Sequence, residues 1–470
     1  MTQLHDLSAL EQAAAVRRGE TSALELVDHY AARIQRHDAA VGAFVTLTLD
    51  TARAQAKQAD AAVAAGEDLP PLHGVPIGIK DLNLTAGVPT RLGSRLFEDF
   101  VPMLSDFVVD KLRTAGTISL GKTNTPEFGL PCYTEPDVAP PARTPWDRTR
   151  SAGGSSGGAA AAVAAGLLPF AQGSDGGGSI RIPASACGLF GLKPARGRIS
   201  AGPIVGDISG LATNGPLTRT VRDAAAMLDA MAGPMPGDPH WAPPASQSFL
   251  SMCDQELGRL RIGRYCDNGL VGGALHPEVV AGFEAATALL TGLGHAVEDI
   301  ACPFAPSLVP AFETVWAVSA AGVPADPARE GELRPLTRWL RQRGRAVSAV
   351  EYTAALAALQ LASRTAITAT FGYDVVLTPT LAQLPAPLGW FREAGDPRAE
   401  FDRMLGWTPF TAVYNTTGQP AVSVPLHHTA DGLPVGVMLV GRPADEATLL
   451  RLSAQLEQAR PGRDRHPDLW

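Results

Sequence analysis

Cysteine and charge are both scarce in this chain. Its 470 residues include five cysteines, an odd number, and no C-x-x-C pair. A disulfide framework and a cysteine-based zinc site are therefore not expected, and a reducing compartment fits. Charged residues make up 18% of the chain and the net charge is −8, so we expect no nucleic-acid partner.

Long hydrophobic runs are missing as well. The longest apolar run covers residues 159–171, contains Pro169 and is too short to span a bilayer. Residues 1–20 lack the basic and apolar regions of a signal peptide. We therefore expect a soluble, cytoplasmic protein that has no membrane partner.

Glycine and apolar residues are abundant, with 48 glycines and an apolar share of 45%, which is typical of a folded core with many tight turns. Helical spacing runs through residues 4–65, apolar residues alternate over 75–79, and strand-like segments alternate with helical ones after that. This pattern predicts an α/β fold, with residues 1–470 as one large domain. Residues 1–70 form a helical N-terminal segment, 71–220 carry the core motifs, and 303–350 are either a substrate-pocket insert or a peripheral helical one.

Two serines lie in separate glycine-rich turns. Ser155 belongs to SAGGSSGG (151–158) and Ser179 to GSDGGGSIRIP (173–183). Amide hydrolysis by serine needs an activated hydroxyl and donors for the developing oxyanion. Backbone N–H groups of Gly176, Gly177 and Gly178, together with that of Ser179, are candidates for such donors.

The base that activates the serine has to come from elsewhere, because none of the ten histidines lies in these turns. Lys80 ends the apolar strand in GVPIGIKD (74–81), where burial lowers a lysine pKa and frees the amine. Ser155 then relays a proton between Lys80 and Ser179. The alternative is that both serines only shape turns, and spacing alone leaves the two open.

Other interpretations of the glycine-rich turns fail on particular residues. A P-loop needs a lysine after the glycines, and no G-x-G-x-x-G opens a helix here. A nucleophile elbow needs glycine two positions after the serine, where this chain has Arg181.

These segments closely resemble the motifs of the amidase signature family. The resemblance rests on the segments 74–81, 151–158 and 173–183 and on CGLFGLKP (187–194). KTNTPEF (122–128), QPA (419–421) and GLPVG (432–436) are also similar to family hallmarks.

The resemblance implies a single α/β/α domain around a large, mixed, twisted sheet covered by helices. It implies Lys80, Ser155 and Ser179 as the catalytic set, with a cis peptide before Ser155, an acyl-serine intermediate and no metal or cofactor. Asp175 and Arg181 would hold the glycine turn. The expected partner is a small-molecule amide, linear or cyclic, and homodimers are frequent in the family.

One departure from the family pattern bears on the substrate. Many members carry threonine where this chain has Gly176. The chain resembles bacterial hydrolases similar to 6-aminohexanoate-cyclic-dimer hydrolase. The alternative is the glutaminase component of the glutamyl-tRNA(Gln) amidotransferase complex, in which glutamine usually stands in place of Ile182.

Five residues are candidates for the walls of the substrate pocket, with ordinary packing as the alternative for each. They are Leu130, Cys132, Tyr133, Phe312 and Trp316.

Overall fold

The computed structural model describes residues 3–204, 207–462 and 465–470. Within these ranges, eleven strands form one sheet in the order β1-β3-β2-β4-β6-β5-β10-β11-β9-β7-β8. The strands are β1 (Phe44–Leu47), β2 (Pro76–Lys80), β3 (Ile118–Thr123), β4 (Phe170–Asp175), β5 (Phe190–Lys193), β6 (Thr213–Thr218), β7 (Arg261–Arg264), β8 (Ala296–Asp299), β9 (Val375–Pro379), β10 (Ala421–His428) and β11 (Pro434–Gly441).

Helices cover this sheet. Those of the first half are α1 (Ala9–Arg17), α2 (Ala23–Val41), α3 (Leu49–Ala64), α4 (Phe107–Thr114), α5 (Gly157–Ala164), α6 (Arg181–Cys187) and α7 (Val221–Met231). Those of the second half are α8 (Phe249–Met252), α9 (Pro277–Gly292), α10 (Leu308–Gly322), α11 (Pro335–Ala346), α12 (Ala349–Thr370), α13 (Pro397–Trp407), α14 (Val413–Thr417) and α15 (Glu446–Ala459). The predicted α/β fold with a large mixed sheet under helices is confirmed.

The sheet is mixed because parallel and antiparallel pairings alternate in blocks. β2 pairs in parallel with both β3 and β4, whereas β4, β6, β5, β10, β11 and β9 pair antiparallel in sequence. Neighbouring parallel strands bring their carboxyl ends to the same edge of a sheet. Lys80 ends β2 and Asp175 ends β4, so the sheet itself places the lysine beside the glycine-rich turn that follows Asp175.

Helix α5 is buried on every side, which its composition explains. All eight of its residues are glycine, alanine or valine, and all are buried. Short side chains let the helix approach the surrounding backbone, and a Cβ on Gly158 would stand 2.3 Å from the backbone nitrogen of Asn124. The helix therefore fixes the spacing between the two serine turns that flank it.

The N-terminal segment differs from the prediction at one point. Residues 4–65 are helical except for β1, a four-residue strand that pairs antiparallel with β3. Helix α2 begins with a capping box, because the Ser22 side chain accepts from the Glu25 N–H and Glu25 accepts from the Ser22 N–H. The strand was missed because only its first residue is buried, which leaves no alternation to detect.

Residues 303–350 form two main helices, α10 and α11, joined through a short 3-10 helix, Pro327–Glu332. The pair packs closely, since a Cβ on Gly344 would stand 2.1 Å from the Ala317 carbonyl oxygen. Helix α10 brings Phe312 and Trp316 to the turn that holds Ser179, within 4 Å of a Cβ placed on Gly177.

Candidate active site

Lys80 is fully buried at the end of β2. Its ammonium nitrogen Nζ donates to Ser155 Oγ at 2.8 Å, to Ser174 Oγ at 3.0 Å and to the Ser174 carbonyl at 3.2 Å. Burial lowers the pKa of Lys80 to about 7, although the Asp175 carboxylate acts in the opposite direction. Near neutral pH a substantial fraction of this lysine is therefore an uncharged amine that can accept a proton.

The backbone of Lys80 is fixed by a buried amide network. The Lys80 N–H donates to Gln172 Oε1 at 2.9 Å. The Gln172 amide nitrogen in turn donates to Asn83 Oδ1 and to Asn214 Oδ1, each at 2.9 Å. The network ties the ends of β2, β4 and β6 together, and it was not anticipated from the sequence.

Ser155 lies directly against Lys80, and the peptide bond between Gly154 and Ser155 is cis, as the family resemblance implies. The Ser155 carbonyl accepts from Thr125 Oγ1 at 2.9 Å. Gly154 has no room for a side chain, because a Cβ there would stand 2.7 Å from the Tyr133 nitrogen. The surrounding backbone thus fixes this serine in contact with the lysine.

Ser179 lies in the second glycine-rich turn, which contacts the first. The Ser156 N–H donates to the Ser179 carbonyl at 3.1 Å. Ser156 Oγ also accepts from the Ser174 N–H at 3.2 Å. Among the described residues, Ser179 Oγ has no hydrogen-bond partner, and its side chain faces a cleft. The structure therefore brings Lys80, Ser155 and the Ser179 turn together, with a direct hydrogen bond between the first two.

Asp175 and Arg181 clamp the turn from behind. Arg181 donates to both Asp175 carboxylate oxygens, at 3.0 Å and 2.9 Å, and both side chains are fully buried. Burial alone would raise the pKa of Asp175, but the Arg181 guanidinium holds that pKa well below its usual value. The carboxylate stays charged and accepts from the N–H groups of Gly178 at 2.7 Å and Ile180 at 3.1 Å.

Two residues from the distant C-terminal part complete the clamp. The Asn415 amide nitrogen donates to Asp175 Oδ1 at 2.8 Å, and Asn415 Oδ1 accepts from Arg181 at 2.6 Å. Thr411 Oγ1 donates to the Gly177 carbonyl at 2.7 Å. Both side chains belong to the site geometry, and nothing in the sequence pointed to them, because they lie more than 200 positions from the turn.

The candidate oxyanion donors divide into two groups. The Gly178 N–H is occupied by Asp175, so its expected role changes from oxyanion donor to part of the turn. The N–H groups of Gly176, Gly177 and Ser179 donate to no other residue within the described ranges. Three adjacent donors without an internal partner are what an oxyanion site requires.

Gly176 is the position where the chain departs from the family pattern, and Trp316 packs against it. A Cβ on Gly176 would meet the Trp316 ring atoms Cη2 and Cζ3 at 3.5 Å, which is ordinary contact. A threonine there would extend beyond the Cβ into the space that the indole occupies. Glycine at 176 therefore lets Trp316 lie directly over the turn that holds Ser179.

The cleft beside Ser179 has a volume of about 460 Å³, including its open mouth. Four of the five candidate wall residues line it: Leu130, Cys132, Phe312 and Trp316. Helix α13 adds Phe401, Met404 and Leu405, which the sequence did not suggest because their spacing is that of any amphipathic helix.

Tyr133, the fifth candidate, does not line the cleft. Its ring stacks on Phe391 with the centroids 4.5 Å apart, and its hydroxyl donates to the Glu400 carboxylate. Ordinary packing is therefore the correct interpretation for Tyr133. The Tyr133 side chain packs outside the cleft, whereas Cys132, the residue before it, lines the wall.

Among the residues that the structure describes, no group of three or more His, Cys, Asp or Glu side chains is placed to hold a metal ion. No single helix in the described ranges is long and apolar enough to cross a membrane, although α11 and α12 together would be, with a bend of 106° between them.

Comparison with known proteins identifies the class to which this fold and site belong. The family profile described as Amidase matches residues 25–450, which is most of the chain. The protein is thus a hydrolase that acts on carbon–nitrogen bonds of amides. It belongs to the amidase signature family, as the motifs around Lys80, Ser155 and Ser179 suggested.

Three curated relatives match along almost the whole chain. The 6-aminohexanoate-cyclic-dimer hydrolase of Paenarthrobacter ureafaciens is 37% identical, covering 98% of this chain and 96% of its own length. The acylamidase of Rhodococcus erythropolis is 37% identical, covering 99% and 98%. The putative amidase of Synechocystis sp. (strain ATCC 27184 / PCC 6803 / Kazusa) is 37% identical, covering 98% of this chain and 90% of its own length.

A solved structure of a 6-aminohexanoate cyclic dimer hydrolase, complexed with its substrate, is similar over the full length of both chains. It superposes with a TM-score of 0.91 at 33% sequence identity. The likeness extends to the sheet and to the helices over it, so the fold is that of the amidase signature enzymes.

Proposed function

We propose that this protein hydrolyses the C–N bond of a linear or cyclic carboxamide through an acyl-serine intermediate, with Ser179 as nucleophile, Ser155 as proton bridge and Lys80 as base. The observation that carries the proposal is the 2.8 Å hydrogen bond between Lys80 Nζ and Ser155 Oγ in a fully buried pair. A neutral lysine with a pKa of about 7 can take a proton that Ser155 relays.

In the first half-reaction, Ser179 Oγ attacks the amide carbonyl carbon, and its proton passes through Ser155 to Lys80. The carbonyl oxygen becomes an oxyanion, which the N–H groups of Gly176, Gly177 and Ser179 stabilise. The C–N bond then breaks while the proton returns to the nitrogen. The amine leaves, and the acyl group stays on Ser179 as an ester.

In the second half-reaction, water attacks the ester carbon and gives its proton to the same Ser155–Lys80 relay. The C–O bond to Ser179 breaks, Ser179 regains its proton, and the carboxylic acid leaves. In the ion pair of Asp175 and Arg181, the carboxylate takes no proton, because the guanidinium holds the pKa of Asp175 well below its usual value. Their part is to hold the turn in the geometry that both half-reactions use.

The glutaminase component of a tRNA-dependent amidotransferase complex fits the site less well. Glutamine carries an ammonium and a carboxylate that need charged partners when buried. The described walls of the cleft beside Ser179 offer none. Ile182, where that component usually has glutamine, also lines this cleft.

A panel of simple amides tests the proposal with the purified protein alone. The panel contains an acetanilide, glutamine, a dipeptide amide and the cyclic dimer of 6-aminohexanoate. Turnover of an uncharged amide that Ser179→Ala and Lys80→Ala both abolish is the expected result. Hydrolysis of glutamine alone, and only with a co-purifying partner, would overturn the proposal in favour of the amidotransferase complex.

A further inference from the structure

The cleft beside Ser179 adjoins a second apolar compartment, which has a volume of about 390 Å³ including its open mouth. The two compartments share the wall residues Phe312, Leu405, Thr408 and Ala412. The second is otherwise lined by Leu270, Val271, Leu308, Val309, Pro409 and Val413, with Thr416 at its end. Phe312 stacks on Trp316 with the ring centroids 5.4 Å apart, and it stands between the two spaces.

Neither compartment carries a charged side chain among the described residues that line it. Burial raises the pKa of the Cys132 thiol well above its usual value, so that side chain is uncharged too. The Thr408 hydroxyl donates to the Met404 carbonyl at 2.9 Å and the Thr416 hydroxyl to the Ala412 carbonyl at 3.3 Å. The polar groups in the walls are thus largely satisfied within their own helices.

Two carboxylates that adjoin wall residues in sequence are paired with side chains outside the cleft. Glu313 follows Phe312 on α10 and accepts from Arg398 at 2.9 Å, with Arg343 at 3.6 Å. Glu400 precedes Phe401 and accepts from the Tyr133 hydroxyl. These carboxylates are therefore not available as partners for a cationic group in the cleft.

From these walls, and resting on the proposed function, we infer that the natural substrate is an amide of an uncharged apolar acid. Its acyl chain extends from Ser179 past Phe312 into the second compartment. Each methylene that leaves water for an apolar wall contributes up to about fourfold in kcat/KM. A charged end on the same chain would lose its hydration without gaining a partner.

The acyl side is assigned because of the two-step reaction. The amine must leave before water attacks, so tight binding of the amine would hinder the second half-reaction. The acyl group remains bonded to Ser179 through both half-reactions, and apolar contacts with it lower both barriers relative to free substrate. A cleft that begins at Ser179 and adjoins a second apolar compartment therefore suits the acyl chain.

A chain-length series tests the inference. The substrates are the 4-nitroanilides of acetic, butyric, hexanoic, octanoic and decanoic acids, which share one leaving amine. We expect kcat/KM to rise with each added pair of methylenes until the chain fills the second compartment. A second series with an acetyl group and alkylamines of the same lengths is expected to show no comparable rise.

Val309→Trp places a large ring in the second compartment, which Val309 lines without lining the first. We expect this variant to lower kcat/KM on the longest chains at least about tenfold more than on the acetyl substrate. Val271 lines another wall of the same compartment, and we expect Val271→Trp to lower kcat/KM on the long chains in the same way. Val350→Trp is the matched control, because Val350 is 77% exposed on α12 and lines neither compartment.

The charge requirement is tested with one matched pair. The 4-nitroanilides of hexanoic acid and 6-aminohexanoic acid have the same chain length and differ in a terminal ammonium. We expect the hexanoyl compound to be preferred by at least about tenfold.

The outcomes separate this inference from the proposed function. If the wild type hydrolyses neither these anilides nor any uncharged amide of the panel above, the proposed function fails; if it hydrolyses a panel amide but no anilide of an apolar acid, only the inference is overturned. If it hydrolyses the acetyl compound but kcat/KM does not rise with acyl length, only the inference is overturned. A preference for the 6-aminohexanoyl compound, or a loss on long chains in Val350→Trp equal to that in Val309→Trp, would also overturn it.

Discussion

Arg181 and Asp175 form a fully buried ion pair directly behind the Ser179 turn, with nitrogen–oxygen distances of 3.0 and 2.9 Å. The pair is bidentate, which fixes the carboxylate in one orientation. In that orientation the Asp175 carboxylate accepts hydrogen bonds from the N–H groups of Gly178 and Ile180. The Ser179 turn is thus held by the Asp175 carboxylate, and the Arg181 guanidinium neutralises the charge of that carboxylate in the interior.

Removal of Arg181 is expected to cost both stability and activity. Arg181→Ala leaves the Asp175 carboxylate buried without its counter-charge, which destabilises a protein by about 3–5 kcal/mol. Urea unfolding measures this loss, and kcat on a good amide measures the loss of turn geometry. Arg18→Ala is the control, since Arg18 pairs with Glu20 in solvent, and it should leave both quantities unchanged. An Arg181→Ala protein as stable as the wild type would contradict the clamp.

The rate of amide hydrolysis is expected to depend on pH through Lys80. Burial lowers the pKa of Lys80 to about 7, so the amine is protonated below this value and free above it. Because the base must be uncharged to accept a proton, kcat/KM should fall about tenfold per pH unit below the pKa and level off above it. An uncharged substrate keeps its own titration out of the profile. A flat rate from about pH 6 to about pH 10 would contradict Lys80 as the base.

Two substitutions separate the role of Lys80 from that of Lys193, another buried lysine. Lys80→Arg introduces a guanidinium that stays protonated, so it should be inactive at every pH in this range. Burial also lowers the pKa of Lys193 to about 7, although among the described residues its Nζ donates only to the Pro194 carbonyl, at 2.9 Å. Lys193→Met should therefore retain the pH dependence, and loss of the dependence in that variant would move the assignment to Lys193.

Gly178→Ala should inactivate the protein, because both the backbone conformation and the space at this position exclude a side chain. Gly178 has φ +127°, and a Cβ there would stand 2.3 Å from Thr411 Oγ1. Gly237 has a similar φ of +95° but nothing within 4 Å of its Cβ position, so Gly237→Ala isolates the conformational strain alone. That strain costs about 1–2 kcal/mol. Thermal unfolding and kcat of the two variants should differ sharply, and equal effects would show that the contact with Thr411 is unimportant.

The contact between Gly176 and Trp316 predicts a non-additive pair of substitutions. Gly176→Thr should displace the indole and lower kcat/KM, while Trp316→Ala removes the wall. In the double variant the threonine finds room, so its own effect should shrink. The coupling expected for contacting residues is about 0.5–3 kcal/mol in a double-mutant cycle. Additive effects within the error of the measurement would mean that Trp316 does not rest on Gly176.

The sequence predicted the local structure around the candidate site well, because short-range patterns determine it. The alternation of Val75, Ile77 and Ile79 placed a strand before Lys80, and the observed strand ends at that lysine. Glycine runs around Ser155 and Ser179 predicted tight turns, which the structure has. The parallel pairing of β2 with β4, which unites these segments, was not readable from either strand alone.

What the sequence missed depends on contacts between distant segments. Asn415 and Thr411 complete the nucleophile turn from more than 200 positions away. Asn415 lies in the short helix α14 and Thr411 in the turn before it, and neither segment carries a distinctive pattern. Gly178 was expected to be an oxyanion donor because its N–H is unobstructed. Only the fold of the turn reveals that the Gly178 N–H donates its hydrogen bond to the Asp175 carboxylate. Tyr133 was a wall candidate by proximity in sequence, yet its ring points toward Phe391.

The central claim is that Ser179 carries the acyl group, and trapping the intermediate tests it most directly. A 4-nitrophenyl ester of a short acid is mixed with the protein, quenched within milliseconds and mapped by peptide mass spectrometry. The Lys80→Ala and Ser155→Ala variants are run beside the wild type to measure the rate of labelling. We predict one acyl group per chain, located on Ser179 by fragmentation of the peptide that also contains Ser155, with slower labelling in both variants and none in Ser179→Ala. An acyl group on Ser155 or another residue, or turnover at the wild-type rate in Ser179→Ala, would contradict the account.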